Sequence, residues 1–251
     1  MKIYRFVHAG SPSIGVADGD RILCYSGADA TNLGEATKDS ISLGEAELLA
    51  PVMPSKIVAV GRNYAEHAKE LGNEAPSEPI IFLKPPTAAL SPNGTIIRPP
   101  QSQRVDFEGE LAIVIGKSAR NIRRDDWRSV VLGFTCANDV TARDLQKKDI
   151  QFTRGKSFDT FLPLGPCIET DLDPAALSLR TRVNGETKQD GNTRDMVFDC
   201  GAIIEFITSV MTLNPGDVIL TGTPAGVGPL SAGDRVEVEI EGIGVLRNSV
   251  E

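Results

Sequence analysis

Two acidic residues at the head of an apolar run are the first candidates for chemistry. Glu108 and Glu110 are two positions apart in the segment 106–115, which otherwise has the composition of a strand buried on both faces. Alternate side chains of a strand share one face, so the two carboxylates are expected about 7 Å apart on the same side. Two like charges there are costly unless a positive partner meets them, and a hard divalent cation is one such partner. The alternative is a frayed strand end with both carboxylates in water, and this segment alone does not decide.

A histidine and a glutamate form a second candidate pair. His67 is one of two histidines, and Glu70 follows three residues later. Residues three apart are neighbours on a helix, so the carboxylate could orient the imidazole as a general base that activates water. The alternative is an exposed pair on a charged helix, because Glu66 and Lys69 are close by.

An aspartate that follows an apolar run could complete the acidic cluster. Asp139 comes directly after the run 131–137 and could supply a third oxygen ligand beside Glu108 and Glu110. Asp139 or Thr141 could instead cap the helix that follows, and without further support this second interpretation is favoured.

Two more segments contain groups that suit an anion. Lys156 stands between small residues and could approach an anionic intermediate, although lysines in loops are mostly solvated. The glycine-rich segment 221–229 lacks a Walker sequence, and its backbone N–H groups could hold a carboxylate or simply form a turn.

The elements that must position these residues are mostly strands. Asn184-Gly185 predicts a type I′ hairpin turn, and no regular alternation of strands and helices supports a Rossmann fold or a TIM barrel. The predicted strands are 2–7, 13–17, 21–25, 56–60, 79–83, 110–115, 131–137, 178–183, 186–188, 218–220 and 235–240.

Two helices are predicted. One covers about 64–71, begins at Asn63 as its N-cap and ends before Gly72, and its short length suits a mobile lid over 64–78. The other follows the helical spacing of apolar residues over 200–211. Prolines at 51 and 54 predict a boundary between a small β-rich module, 1–52, and a larger domain, 53–251.

The bulk composition excludes several classes of protein. The formal net charge is −8 with no basic run, which argues against nucleic acid or an anionic membrane as a partner. A small anionic substrate would therefore need a local positive site. No signal segment or membrane span is recognised and the four cysteines are widely separated, so a cytoplasmic protein is expected.

Several of these segments together resemble one known family. The chain is similar to the fumarylacetoacetate hydrolase family from about residue 56 to the C-terminus, in its short form without the long N-terminal domain of true fumarylacetoacetases. The matching segments, in order, are VGRNYAEH (60–67), FLKP (82–85), DFEGEL (106–111), NDVTARD (138–144), GKSFD (155–159) and TGTP (221–224).

The resemblance implies a role for each candidate residue. It implies an α+β, β-rich fold, a mixed β-sheet roll with a small N-terminal module, in a homodimer. One Mg²⁺ or Mn²⁺ per chain would be bound by Glu108, Glu110 and Asp139. The remaining roles are a water-activating pair, an active-site lysine and contacts to substrate oxygens, assigned respectively to His67 and Glu70, to Lys156, and to Arg143, Gln146 and Thr223.

The activity implied first is hydrolysis of a C–C bond in an acylpyruvate, a small 2-oxo acid, through a pyruvate enolate. Oxaloacetate decarboxylation and isomerisation of 2-hydroxyhepta-2,4-diene-1,7-dioate share that intermediate and remain as alternatives. A metal-binding protein that retains the fold without turnover is the non-enzymatic alternative.

Overall fold

The computed structural model describes residues 1–251, in which twenty strands are joined by loops and only four helices. The strands of the first fifty residues are β1 Lys2–His8, β2 Ser11–Asp18, β3 Arg21–Tyr25, β4 Ala36–Ser42 and β5 Glu47–Leu49. Those that follow are β6 Ile57–Gly61, β7 Ile80–Lys84, β8 Ala89–Leu90, β9 Thr95–Ile96, β10 Val105–Phe107, β11 Gly109–Ile115, β12 Val131–Asn138, β13 Thr141–Ala142, β14 Leu162–Glu169, β15 Ser178–Val183, β16 Glu186–Asn192, β17 Val218–Leu220, β18 Gly228–Pro229, β19 Arg235–Ile240 and β20 Gly244–Val250. The helices are α1 Ala65–Glu70, α2 Arg143–Lys148, α3 Thr153–Lys156 and α4 Cys200–Val210, with short 3₁₀ helices at Pro86–Ala88, Arg124–Val130, Pro174–Ala176 and Thr193–Asp195.

The strands form three sheets. The largest has the order β4-β3-β2-β1-β14-β12-β11-β17-β6-β7, with β5 against β1 and β8 against β14. A second sheet has the order β16-β15-β19-β20-β9, and a small third sheet consists of β13, β10 and β18. Most pairs are antiparallel, but β17 runs parallel to β6, β14 to β8 and β20 to β9. The predicted α+β, β-rich class with mixed sheets is confirmed.

Strand β11 lies in the interior of the largest sheet, between β12 and β17, and all seven of its residues are buried. Leu111 and Ile113 belong to the main hydrophobic core, whereas Ala112 and Val114 belong to a second core on the other face. Helix α4 covers the main core with the apolar stripe predicted from its spacing, and Asp199 caps its N-terminus by accepting from the Ala202 N–H at 2.8 Å. The strand that leads to the candidate carboxylates is therefore covered on both faces.

The N-terminal strands continue this sheet. Strand β1 pairs with β14 through Lys2 opposite Glu169 and Ile3 opposite Ile168. Tyr4 and Phe6 belong to the same core as residues of β11 and β12. The proposed division at residue 52 is therefore not a break in the sheet, and it stays a prediction. None of the helices is long and apolar enough to cross a membrane.

The segment 106–115 is not one strand, contrary to the expectation from its pattern. Strand β10 ends at Phe107 and pairs with β13 and β18, whereas β11 begins at Gly109 and pairs with β12 and β17. At the junction the backbone N–H of Glu108 donates to Asn138 Oδ1 at 2.9 Å, and the backbone carbonyl of Glu108 accepts from the Asp139 N–H at 2.8 Å. Glycine is required next, because a Cβ at Gly109 would lie 2.1 Å from Thr181 Oγ1. The chain thus changes sheets at the first candidate carboxylate.

The predicted N-cap of the first helix was wrong. Asn63 does not cap α1; its side-chain amide donates to the carbonyls of Thr221 at 2.7 Å and Phe198 at 3.0 Å, and its Oδ1 accepts the Phe198 N–H at 2.8 Å. The helix begins after Tyr64, with no side-chain cap. Backbone partners far along the chain satisfy the amide more completely than one helical N–H would. As a result Asn63 holds the start of α1 against the segment that follows β17.

A buried aspartate joins the parallel strands β6 and β17. Asp217 accepts hydrogen bonds from the Ser55 N–H and hydroxyl, from the Lys56 N–H and from the Asn214 N–H, and it forms an ion pair with the Lys56 amine. Burial works against its charge, but the Asn214 N–H, Lys56 and Ser55 outweigh burial and hold the pKa of this carboxyl below its ordinary value.

We expect Asp217→Asn to lower the free energy of unfolding by about 1.5–3 kcal/mol at pH 7, because charge-assisted hydrogen bonds are lost. The depressed pKa means that this stabilisation is present above the unfolded pKa of about 3.9 and is lost as the pH falls through the folded value. Urea unfolding from pH 7 to pH 3 measures both effects, with Asp125→Asn at an exposed aspartate as the control. A difference between variant and wild type that does not shrink in acid would contradict this account.

Candidate functional site

Three carboxylates meet at the ends of the central strands. Ligand oxygens of Glu108, Glu110 and Asp139 lie within 4.8 Å of one another, and all three residues are buried. The pairing of β11 with β12 sets Gly109 opposite Asn138, which brings the chain after β12 beside the chain before β11. A solvated strand end is excluded, because Glu108 is 4% exposed and Glu110 is 2% exposed.

The helix-cap interpretation of Asp139 is also excluded. Helix α2 begins after Ala142 without a side-chain cap, and the Thr141 hydroxyl donates to the Asp139 carbonyl instead. Both carboxylate oxygens of Asp139 are bound by amines, Oδ1 by Lys84 Nζ at 2.6 Å and Oδ2 by Lys156 Nζ at 2.7 Å.

Cationic side chains surround the cluster. Lys156 Nζ also lies 2.7 Å from Glu108 Oε2, so one amine bridges two of the three carboxylates. Arg143 donates to Glu108 Oε1 at 2.5 Å and to Asp106 Oδ2 at 2.8 Å. The four buried carboxylates, Asp106 included, are accompanied by three buried cations, Lys84, Arg143 and Lys156, and by the half-exposed Arg104, which donates to Asp106 Oδ1 at 2.9 Å.

None of these cations forms an ion pair with Glu110. Burial and the negative charges of Asp139 and Glu108 raise the pKa of Glu110 well above its ordinary value, and its one protein donor is the Gly222 N–H at 2.6 Å. Burial also disfavours the charge on Glu108, but Lys156 and Arg143 outweigh it and lower the pKa of that carboxyl. The uncompensated charge is thus localised at one corner of the cluster.

The cluster fits a hard divalent cation. Its donors are carboxylate oxygens only, the set preferred by Mg²⁺ and Mn²⁺, and Glu110 lacks the positive partner that a buried carboxylate needs. Glu108, Glu110 and Asp139 are the residues that would bind the ion.

The histidine pair lies at the same place. His67 Nδ1 is 3.2 Å from Glu70 Oε2, and His67 is buried. The Gly226 N–H donates to Glu70 Oε1 at 3.1 Å and so fixes the carboxylate. Because a carboxylate only accepts, the proton of a neutral imidazole lies on Nδ1, which leaves Nε2 as the basic nitrogen.

The glycine-rich segment 221–229 holds carboxylates of the protein itself. Its N–H groups bind Glu110 through Gly222 and Glu70 through Gly226. Gly226 has φ +100°, and a Cβ there would lie 2.2 Å from the Lys188 carbonyl. This one loop therefore positions both a candidate metal ligand and the partner of the candidate base.

A cavity of about 400 Å³ joins these groups. Glu70 does not line it but is hydrogen-bonded to His67, which does. The predicted site residues that line the cavity are His67, Glu108, Glu110, Asp139, Arg143, Gln146, Lys156 and Thr223. The structure therefore brings the nine predicted residues together, and their individual roles stay predictions.

The predicted substrate contacts already have partners within the protein. The guanidinium of Arg143 donates to Gln146 Oε1 at 2.7 Å in addition to its two carboxylates. Thr223 Oγ1 donates to the Gly109 carbonyl and accepts from Gln189 Nε2, both at 2.8 Å. A hydrogen bond from Arg143, Gln146 or Thr223 to a substrate must therefore share or replace the hydrogen bonds that these side chains make within the protein.

Sequence reasoning missed three buried residues of the site. Lys84 and Asp106 stand inside recognised segments but received no role, because their partners Asp139 and Arg143 are distant in the chain. Gln189, on a strand with no motif, binds the Gly109 N–H and Thr223. A signal existed for Lys84 alone, since a lysine ending an apolar strand needs a counter-charge if it is buried.

The fold and the site define a class: a β-rich α+β protein with a buried acidic cluster that could hold a divalent cation, beside an oriented histidine. The family model described as "Fumarylacetoacetate (FAA) hydrolase C-terminal" matches residues 56–251, and the chain belongs to this family. A second model, "Rv2993c-like, N-terminal", matches residues 1–51.

Three relatives match most of this chain, and two of them are named for an activity. "Uncharacterized protein MJ1656" of Methanocaldococcus jannaschii is 56% identical over 83% of this chain and 88% of its own length. Human "Oxaloacetate tautomerase FAHD2A, mitochondrial" is 48% identical over 82% of this chain and 70% of its own length. The crystal structure of 5-carboxymethyl-2-hydroxymuconate delta-isomerase from Mycobacterium smegmatis superimposes with a TM-score of 0.92 at 45% identity, covering 100% of this chain and 99% of that one.

We expect Glu110→Gln to make the metal-free protein at least as stable as the wild type at pH 7.5, because a neutral amide replaces the one carboxyl of the cluster that lacks a cationic partner. The same variant should lose stabilisation by Mg²⁺ or Mn²⁺, which for the wild type is about 2.7 kcal/mol at one hundred times the dissociation constant. Thermal unfolding with and without the ion measures both effects, and Glu45→Gln at an exposed glutamate is the control. An unchanged metal response in Glu110→Gln would remove this residue from the ligand set.

Proposed function

We propose that this protein is a divalent-metal-dependent enzyme of 2-oxo acids that carry a second carbonyl or carboxylate on the β side, and that it transfers a proton between the enol and keto forms. The observation that carries the proposal is the convergence of the acidic cluster, Lys156 and the Glu70-oriented His67 on one cavity. The relatives named above support it, because a tautomerase and an isomerase both move a proton along such a chain of carbons.

Each residue has a part in this chemistry. A cation bound by Glu108, Glu110 and Asp139 would supply a Lewis acid for the carboxylate and 2-oxo oxygens of the substrate. His67 takes the proton from C3, or returns it, through Nε2, and Glu70 stabilises the imidazolium that forms. At the base of the cavity His67, Glu108 and Glu110 are buried, which limits the access of bulk water to the enolate.

Lys156 acts through its charge. Burial alone would lower the pKa of this amine, but Asp139 and Glu108 outweigh burial and hold it above the ordinary value. We assign the protonated amine the role of an electrostatic partner for the enolate oxygen.

Hydrolysis of an acylpyruvate is the second candidate, and the His67–Glu70 pair is the observation that favours it. In this reaction His67 deprotonates water, the hydroxide adds to the distal carbonyl, and the C–C bond breaks to release a carboxylic acid and pyruvate enolate, which is then protonated. Oxaloacetate decarboxylation reaches the same enolate by loss of CO₂ and needs no activated water.

Turnover assays separate these reactions. With Mg²⁺ or Mn²⁺ we expect conversion of the oxaloacetate enol to the ketone, followed by ultraviolet absorbance, with His67→Ala lowering kcat by about 10²- to 10⁴-fold. The matched control is His8→Ala at the only other histidine, on β1. Pyruvate release from acetylpyruvate or from oxaloacetate reports hydrolysis and decarboxylation.

Each result has a distinct meaning. Faster cleavage of acetylpyruvate than enol conversion would replace the first candidate by the hydrolase. Metal binding without turnover of any of these acids would favour the non-enzymatic alternative.

We further propose that the chain acts as a homodimer. The free outer edge of β7 supports this, because it ends the largest sheet and its Leu83 is 49% exposed. Light scattering after size exclusion is expected to give twice the 26.8 kDa of the chain. A monomer at micromolar concentration would contradict the proposal.

A further inference from the structure

Two cationic side chains of the cavity have no partner in the protein. Arg62 and Lys147 line it, and neither takes part in an ion pair or a side-chain hydrogen bond. The other cations of the wall, Arg143 and Lys156, are bound to carboxylates. Positive charge is thus available at Arg62 and Lys147 and is already neutralised deeper in the cavity.

Outside the acidic cluster, no carboxylate of the wall is free to neutralise the pair. Asp149 is the only wall carboxylate outside the acidic cluster, and Arg154 holds both of its oxygens, at 2.5 and 2.8 Å. The chain as a whole carries a net charge of −8 and repels anions. Two unpaired cations at one cavity of an acidic protein therefore mark a local site for negative charge.

The two residues lie nearer to solvent than the acidic cluster. Helix α2 turns Arg143, Gln146 and Lys147 toward the cavity, at the i, i+3 and i+4 positions of one face. Arg143 is 2% exposed at the base, whereas Lys147 is exposed about one turn, roughly 6 Å, further along the helix. Arg62 is partly buried and immediately follows β6.

The backbone at Arg62 is strained. Its φ is +58°, in the left-handed region that costs a non-glycine residue about 1–2 kcal/mol. The residue that follows Arg62, Asn63, is held by three side-chain hydrogen bonds to Thr221 and Phe198. Glycine would relieve this strain, so an arginine here is consistent with use of its side chain at the cavity.

We propose that Arg62 and Lys147 form a subsite for the distal carboxylate of the substrate, so that the preferred substrates are dicarboxylic 2-oxo acids or their enols. This proposal rests on the proposed function, in which the first carboxylate and the 2-oxo group occupy the base of the cavity beside Lys156. The tail carboxylate then reaches the outer cations, and acids with a neutral tail leave those cations unpaired.

A matched pair of non-reacting acids tests the subsite by binding. 2-Oxoglutarate ends in a carboxylate where 2-oxopentanoate ends in a methyl group, and neither has a carbonyl on the β side. In the presence of Mg²⁺, isothermal titration of the wild type should give a dissociation constant for 2-oxoglutarate about 10- to 100-fold lower than for 2-oxopentanoate. Arg62→Met and Lys147→Met should each remove much of that difference and leave 2-oxopentanoate unchanged.

The controls address charge and folding. Lys148→Met changes the neighbouring exposed lysine, which does not line the cavity, and should preserve the preference. Arg62→Lys should restore part of it, which a purely structural role of Arg62 would not predict. Circular dichroism and the Tm verify that each variant is folded.

The outcomes separate the subsite from the activity. Equal affinity of the wild type for the two acids, binding of neither, or equal losses for both in Arg62→Met would overturn the subsite. A preference for 2-oxoglutarate without turnover of any 2-oxo acid would support the subsite and reject the proposed activity. Turnover of a 2-oxo acid without a preference for 2-oxoglutarate would support the proposed activity and reject the subsite.

Discussion

The amine of Lys156, shared between Glu108 and Asp139, is the interaction on which the rest of the site depends. Without it two buried carboxylates would repel each other within a core that excludes water. Lys84 and Arg143 add the remaining buried positive charge, but they do not reach Glu110, which keeps one N–H donor and a raised pKa. The protein thus balances its acidic cluster incompletely, and this deficit is what suits a divalent cation.

The chain passes from one sheet to another at the acidic cluster. The chain leaves the small sheet at Phe107 and enters the largest sheet at Gly109, so Glu108 stands where neither ladder uses its backbone. Asn138 and the N–H of Asp139 satisfy that backbone, and Gln189 satisfies Gly109. Backbone groups that the strand break frees are therefore rebound by the residues that line the site.

The cavity is organised by charge along its depth. At the base, cations and carboxylates neutralise one another around the candidate metal position, and His67 with Glu70 supplies a proton-transfer group beside them. At the outer end Arg62 and Lys147 remain unpaired. The proposed enolisation of acids with charge at both ends would account for this pattern, because one end of the substrate needs a Lewis acid and the other only electrostatic recognition.

The sequence alone determined the strand-rich class, the positions of eleven of the twenty strands, the helix over 200–211 and the family, but it missed the long strands β4, β14 and β20. These depend on local periodicity and on motifs in order, which each segment carries by itself. It also named nine residues of the site, although it gave no role to Lys84, Asp106 or Gln189. For Glu108 and Glu110, it left the choice between water and a cation open until the family resemblance was considered.

The tertiary structure decided what local pattern could not. In the folded chain the segment 106–115 is divided between two sheets at Glu108. Asn63 does not cap a helix but binds the distant Thr221 carbonyl, and Lys84 pairs with Asp139 across 55 positions of the chain. The energy of a buried charge or amide depends on its partners in space, and distant sequence positions carry no local signal of such partners. Which carboxylates are neutralised, and which one lacks a cation, is therefore a property of the folded chain.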